Sequence, residues 1–82
     1  MRRMWRYVYI LQNALGRQYV GLTDDVEDRL ARHNRDEVPS TAKYTPWNLI
    51  HFSVFRSREN AATYERYLKP GSGTTFRQRH LV

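Results

Sequence analysis

Apolar and polar residues alternate along three stretches of the chain. Residues 5–11 place aromatic and β-branched side chains at period two, which predicts a strand covered on both faces in its later half. Residues 13–16 carry a turn signal, and residues 17–22 predict a second strand that pairs with the first as a hairpin. Residues 47–55 predict a third strand. We expect the core to include the aromatic side chains of Trp5, Trp47, Phe52 and Phe55.

A helix signal follows the second predicted strand. A hydroxyl and several carboxylates at residues 23–27 predict a helix start, because a capping side chain and early acids stabilise the first turn. This helix is expected to end near Asn34 and to be followed by a polar loop over residues 35–46. Arg29 and His33 lie four residues apart, so they project from adjoining positions of the helix surface.

A second helix follows the third predicted strand. Ser57 predicts its N-cap, residues 58–68 its length, and the glycine-rich residues 69–73 its end. Residues 74–80 predict a short C-terminal helix. One face of the second helix is expected to carry Ala61, Tyr64, Glu65 and Leu68.

These elements predict the fold class and the domain organisation. The order β-β-α-β-α, with an extra C-terminal helix, is typical of an α+β fold in which helices pack against a small antiparallel or mixed sheet. No repeat, low-complexity tract or linker divides the 82 residues. We therefore expect one domain over residues 1–82.

The net charge of the chain indicates which class of binding partner to expect. Fourteen Lys and Arg residues against eight Asp and Glu residues give a formal net charge of +6. The first 23 and the last 17 residues carry cations and no acids, whereas the middle is slightly acidic. A basic, arginine-rich domain favours a polyanion such as nucleic acid. Arg77 and Arg79 in the basic C-terminal segment are expected to hold backbone phosphates.

Composition also excludes several classes. The chain has no cysteine, which excludes disulfides, thiolate zinc sites and a thiol nucleophile and fits a reducing, cytoplasmic location. No apolar run approaches the roughly 18–20 residues that span a bilayer. His33, His51 and His80 lack the spacing of a zinc site.

Several polar residues have a structural as well as a functional interpretation. Glu65 can pair with Lys69 one helical turn later, and Arg29 can pair with Asp25 in the same way. Tyrosines on strands can simply pack. At this level the chain could be an enzyme, a nucleic-acid-binding module or a protein-interaction domain.

Two short motifs and the run between them resemble the GIY-YIG nuclease superfamily. Tyr7-Val8-Tyr9 corresponds to the GIY segment, and Tyr19-Val20-Gly21 corresponds to the YIG segment, with the typical spacing of ten between the tyrosines. Residues 19–34 are similar to the family's YVG-x-T-x-D-x-x-x-RL-x-x-HN stretch, and residues 67–76 resemble its YLKSGSG-x-x-F ending. One departure is that Tyr7 replaces the first glycine.

The resemblance implies a set of site residues with assigned roles. Glu65 would hold one divalent ion, Mg²⁺ or Mn²⁺, and Tyr9 would be the general base. Tyr19 would position water or phosphate, Arg29 would bind the scissile phosphate, and His33 would assist Tyr9. The expected substrate-binding residues are Gly21, Arg35, Lys43, Tyr44, Lys69, Arg77 and Arg79.

The same resemblance implies an endonuclease that hydrolyses DNA phosphodiester bonds, with a role in repair or recombination. Branched or single-stranded DNA would be the expected substrate, and a protein partner or a second copy of the chain would supply specificity. No membrane partner is expected.

Overall fold

The structure is a computed structural model, described over residues 5–69 and 77–81. Three strands and two helices occur in the predicted order β-β-α-β-α, which confirms the predicted α+β class. The strands are β1 (Arg6–Gln12), β2 (Gln18–Thr23) and β3 (Asn48–Phe55), and the helices are α1 (Val26–Asn34) and α2 (Arg58–Leu68). The predicted break after α2 and the start of the predicted C-terminal helix fall largely on residues 70–76, outside the described residues. Arg77–Leu81 form one π-helical turn.

The three strands form one antiparallel sheet with β1 in the centre, in the order β2-β1-β3. The register places Tyr9 opposite Gly21 on one side and opposite Phe52 on the other. A β-bulge interrupts the pairing of β1 with β3, because Ile10 pairs with His51 while Leu11 pairs with Leu49.

The capping residues explain where both helices begin. The side chain of Asp25 accepts a hydrogen bond from the backbone N–H of Asp28 at 3.0 Å, and Ser57 accepts one from Asn60 at 3.2 Å. Each cap satisfies one of the N–H groups that a first turn leaves without a partner. None of the described helices is long and apolar enough to cross a membrane.

Helix α2 covers one face of the sheet with an aliphatic core. Period two on the strands and period 3.6 on the helix bring the apolar residues together. The buried members are Val8, Ile10, Val20, Ala61 and Leu68, with Leu22, Phe55, Tyr64 and Leu81 packed around them. This is the main hydrophobic support of the fold.

The opposite face is covered by α1 and the loop that follows it, and its core is aromatic. Tyr9, Leu11 and Trp47 are buried there, with Tyr19, Leu30, Tyr44 and Leu49 around them. The side chain of Asn34 closes the loop, since it accepts from the backbone N–H of Trp47 at 2.7 Å and donates to its carbonyl at 3.1 Å. Residues 35–46 are thereby tied at both ends.

Two of the aromatic residues expected in the core are exposed. Phe52 is 47% exposed, and Trp5 lies outside strand β1 and is also exposed. Phe52 lies on the edge strand β3, where exposed and half-buried residues alternate, and it falls on an exposed position. Trp47 is buried as expected, and Phe55 is half-buried against the aliphatic core.

Candidate active site

Three aromatic rings meet where β1, β2 and α1 come together. Strand pairing puts Tyr9 and Tyr19 on the same face of the sheet, and α1 places His33 over both. The ring centroids of Tyr19 and His33 are 4.9 Å apart in an edge-on arrangement, and those of Tyr9 and His33 are 5.8 Å apart. Tyr9 is 1% exposed and His33 is fully buried, whereas Tyr19 is half-buried. These three predicted residues are therefore brought together.

A chain of hydrogen bonds runs through the imidazole of His33. The hydroxyl of Thr41 donates to the carbonyl of Val38 at 3.2 Å, so its oxygen is left to accept. His33 Nδ1 lies 2.7 Å from that oxygen and donates to it. His33 Nε2 then carries no proton and accepts from the Tyr9 hydroxyl at 2.9 Å. The network thus assigns the tautomer of His33 and the direction of the Tyr9 hydroxyl.

Burial shifts the pKa values of both groups in directions that support this arrangement. Desolvation raises the pKa of Tyr9 to about 12, while the hydrogen bonding and positive charge of Arg29 act in the opposite direction. Burial, followed by the charge of Arg29, lowers the pKa of His33 below 6.5. At neutral pH the pair is therefore a neutral phenol donating to a neutral imidazole.

Arg29 lies beside this pair, one helical turn before His33. Its charge acts on the pKa of both Tyr9 and His33. Its Nε atom is buried and has no hydrogen-bond partner within residues 5–69 and 77–81. A buried guanidinium nitrogen without an acceptor is costly, and the acceptor that suits it best is an anionic oxygen.

Gly21 makes room for Tyr9. The two residues are directly paired across the strands, and a Cβ atom built on Gly21 would overlap the ring and hydroxyl of Tyr9. Glycine at this position therefore lets the phenol lie flat against β2 and reach His33. The structure gives Gly21 a packing role, and its predicted contact with substrate stays a prediction.

Glu65 lies on α2 and forms an ion pair there. Its side chain is 19% exposed, and its Oε2 atom lies 3.2 Å from Nζ of Lys69, so the predicted ion pair is present. Its negative charge also raises the pKa of Tyr9, although less than burial does. The predicted role of Glu65 as a site carboxylate stays a prediction.

This donor set fits a divalent cation only if the ion keeps most of its water ligands. Among residues 5–69 and 77–81, no group of three or more His, Asp or Glu side chains could enclose a metal ion. A single carboxylate suits Mg²⁺ or Mn²⁺ that keeps most of its waters and shares a substrate phosphate. Glu65 fits that requirement, with the charge of Lys69 as its competitor.

The predicted substrate-binding residues of the loop differ in their surroundings. Arg35 is exposed and paired with Glu37, with 2.8 Å between Nε and Oε2. Tyr44 is half-buried beside the aromatic core, with the guanidinium of Arg17 stacked 3.9 Å from its ring centroid. The ammonium of Lys43 lies 6.0 Å from the same centroid. Their predicted contacts with substrate remain predictions.

Arg77 and Arg79 lie on the same C-terminal turn but differ in exposure. The side chain of Arg77 is only 8% exposed, and burial lowers its pKa. Arg79 is exposed. The predicted contacts of both residues with backbone phosphates stay predictions.

Three residues with a clear place near the site were missed by the sequence patterns. Thr41 holds the tautomer of His33 and directly precedes the 3₁₀ turn Ala42–Tyr44, but the sequence patterns assigned it no role. Arg6 and Arg58 share a cleft with Arg29. Their only signal was position, since Arg6 begins β1 and Arg58 begins α2.

Comparison with known proteins assigns the chain to a family. The sequence profile described as the GIY-YIG catalytic domain matches residues 6–79. The chain therefore belongs to the GIY-YIG family, a nuclease family, and the resemblance of its motifs is confirmed.

Within that family the chain is similar to UPF0213 proteins. It is 39% identical over 69 residues to a UPF0213 protein of Haloquadratum walsbyi, covering 79% of this chain and 74% of that protein. It is 36% identical over 64 residues to one from Streptococcus pyogenes serotype M5, covering 77% of this chain and 70% of that one. The solution NMR structure of a UPF0213 protein of Bacillus halodurans matches with a TM-score of 0.56 and 35% identity, over 92% of this chain and 81% of that chain.

Proposed function

We propose that this protein is a divalent-metal-dependent endonuclease that hydrolyses phosphodiester bonds in DNA. The observation that carries the proposal is the hydrogen-bond chain from Tyr9 through His33 to Thr41, with Arg29 beside it and Glu65 within electrostatic range. A packing role alone does not require a buried tyrosine hydroxyl aimed at an unprotonated imidazole nitrogen. Family membership supports the same chemistry.

The proton transfer proceeds through two residues. With a pKa of about 12, Tyr9 is protonated at neutral pH and is a weak base by itself. Its proton, however, is already shared with Nε2 of His33. As water attacks phosphorus, the water proton passes to the Tyr9 oxygen while the phenol proton passes to His33. The nucleophile thus loses one proton and the imidazole gains one.

The remaining residues stabilise charge and orientation. The guanidinium of Arg29 neutralises the negative charge that builds on the phosphoryl oxygens as the bond to the leaving oxygen breaks. Tyr19, edge-on to His33 and half-buried, orients the water or the phosphate. The leaving oxygen takes its proton from solvent.

Glu65 would hold the divalent ion that family members use. When bound, Mg²⁺ or Mn²⁺ supplies positive charge to the phosphate and lowers the pKa of the attacking water. The carboxylate would have to exchange its contact with Lys69 for this role, because the two charges are 3.2 Å apart.

Nicking of supercoiled plasmid tests the proposal. Wild type with Mg²⁺ or Mn²⁺ is expected to relax the plasmid, and EDTA is expected to stop it. Glu65→Gln should lower the rate by about 10²-fold or more, since it removes the only carboxylate of the described site while keeping its size. Glu59→Gln is the matched control, because Glu59 is an exposed carboxylate on the same helix.

Equal nicking by wild type, Glu65→Gln and Arg29→Ala would contradict the proposal, since it would indicate a contaminant or a different site. Binding of DNA without cleavage under any of these conditions would also contradict it and favour a binding module. Branched and single-stranded oligonucleotides in the same assay extend the test to the expected substrate structure and to a role in repair.

A further inference from the structure

A cleft with a volume of about 300 Å³ opens beside the proposed catalytic cluster, at the end of the sheet where β1 begins and β2 ends. Its residues come from β1, β2, α1, α2 and the turn that follows β2. They are Arg6, Leu22, Thr23, Asp24, Arg29 and Arg58.

The charge of this cleft is unbalanced. Of the six residues around it in the described part of the chain, three are arginines and one, Asp24, is an acid. An excess of cations around one small cleft favours an anionic ligand. Arginine is the side chain whose planar donors best match the oxygens of phosphate.

The fold itself, rather than a flexible tail, brings these arginines together. Arg6 begins the central strand, Arg58 is the first residue of α2, and Arg29 lies within α1. Each is anchored by hydrogen-bonded backbone, so an anion that binds has to order only the side chains and not the backbone.

Arg29 connects the cleft to the proposed chemistry. It lines the cleft and also acts electrostatically on Tyr9 and His33. Its buried Nε atom has no hydrogen-bond partner within the described part of the chain. A ligand in the cleft therefore lies next to the phosphate that Arg29 would hold during cleavage.

We propose that the cleft formed by Arg6, Arg29 and Arg58 binds a second DNA backbone phosphate, next to the one that is cleaved. That the neighbouring phosphate is cleaved rests on the proposed function, whereas the binding of a phosphate in the cleft does not. The cleft fixes the register of the strand: Arg6 and Arg58 hold the flanking phosphate, and Arg29 lies between the two phosphates. Arg6 and Arg58 are thus binding residues that act by positioning.

Binding to a fluorescein-labelled 20-base-pair duplex in EDTA tests the cleft without cleavage. The strands end in hydroxyl groups, so that only backbone phosphates are present. Arg58→Gln and the double variant Arg6→Gln/Arg58→Gln are compared with wild type over a range of salt. Arg32→Gln is the matched control, because it removes one arginine charge from an exposed position that lies outside the cleft. Thermal unfolding followed by circular dichroism verifies that each variant is folded.

The double variant is expected to bind about tenfold more weakly, because it loses charge-assisted contacts to phosphate. Its slope of log K against log salt should fall by about one, the change expected for a single phosphate contact. Arg58→Gln alone should move in the same direction, and it keeps the test valid should the double variant fail to fold. Arg32→Gln should leave the slope unchanged.

The outcomes separate the cleft from the nuclease proposal. Equal affinity and slope for wild type and Arg58→Gln, or an equal loss in Arg32→Gln, would overturn the cleft even if the wild type nicks plasmid. Failure of the wild type to bind the duplex would overturn it as well. If binding depends on the cleft but no metal supports nicking, the cleft stands and the proposed function fails.

Discussion

The two faces of the sheet belong to the same strands but carry different kinds of side chain. Toward α2 the strands present Val8, Ile10 and Val20, which pack with aliphatic neighbours. Toward α1 they present Tyr9 and Tyr19, whose rings surround a buried histidine. Because successive residues of a strand face opposite sides, the two roles alternate along β1.

This contrast shows how a small domain can keep a polar cluster in its interior. The α2 face buries aliphatic surface that stabilises the fold, so the α1 face can hold hydroxyl and imidazole groups that stabilise it less. Those groups are tolerated because each has a hydrogen-bond partner, from Tyr9 to His33 and from His33 to Thr41. Stability and proposed activity should therefore be separable by face.

The largest expected effect comes from two substitutions at adjacent residues, one expected to lower nicking and the other to lower stability. Tyr9→Phe removes the proposed proton carrier, so nicking should fall by roughly 10²–10⁴-fold while the protein stays folded. Ile10→Ala should lower the free energy of unfolding by about 2–5 kcal/mol, since Ile10 is fully buried in the aliphatic core. Plasmid nicking and urea unfolding measure the two.

The comparison is informative only if Tyr9→Phe changes nicking, and Ile10→Ala changes stability but not nicking. At a temperature where Ile10→Ala is folded, its nicking rate should match wild type. A loss of nicking in Ile10→Ala as large as that in Tyr9→Phe would show that the faces are not separable.

A smaller effect is expected at Thr41. Thr41→Val keeps the shape of the side chain but removes the oxygen that accepts from Nδ1 of His33, so the free energy of unfolding should fall by about 1–3 kcal/mol. The imidazole should also lose its single tautomer, which nitrogen chemical shifts of His33 would detect. Thr41→Ser keeps the hydroxyl and should restore both properties. An unchanged tautomer in Thr41→Val would separate Thr41 from the cluster.

The smallest expected effect is a pH dependence. Burial lowers the pKa of His33 in the folded protein, so below pH 6.5 the unfolded chain binds a proton more readily than the folded one. Stability should therefore be highest above pH 6.5 and should decrease as pH falls toward the lowered pKa of His33. An NMR titration of the imidazole measures that pKa directly. A His33 pKa at or above 6.5 would contradict the neutral hydrogen-bonded pair.

Local patterns predicted the elements well, for physical reasons. Alternation in β1 and β2, together with a short turn, is enough to pair Tyr9 with Gly21 and to put Tyr19 on the same face. Caps at Asp25 and Ser57 are local signals, so both helices begin where the sequence indicates. The proximity of Tyr9, Tyr19 and His33 follows from these elements.

Other features depend on contacts that no local pattern encodes. Alternation in β3 predicts which residues share a face but not whether a helix covers it, so Phe52 was wrongly expected in the core. Thr41 reaches His33 because Asn34 and Trp47 close the loop over residues 35–46. Charge along the chain likewise does not reveal that Arg77 is buried.

The pairing of β1 on both edges also determines where the chain tolerates a change in length. One residue inserted between Val8 and Tyr9 would move every later side chain of the strand to the opposite face. Ile10 would then take the face beneath α1, and the Tyr9 hydroxyl would enter the aliphatic layer. The same insertion at the exposed hairpin tip, residues 14–16, would leave both layers in place. Length variation is therefore expected at the tip and not in the strand.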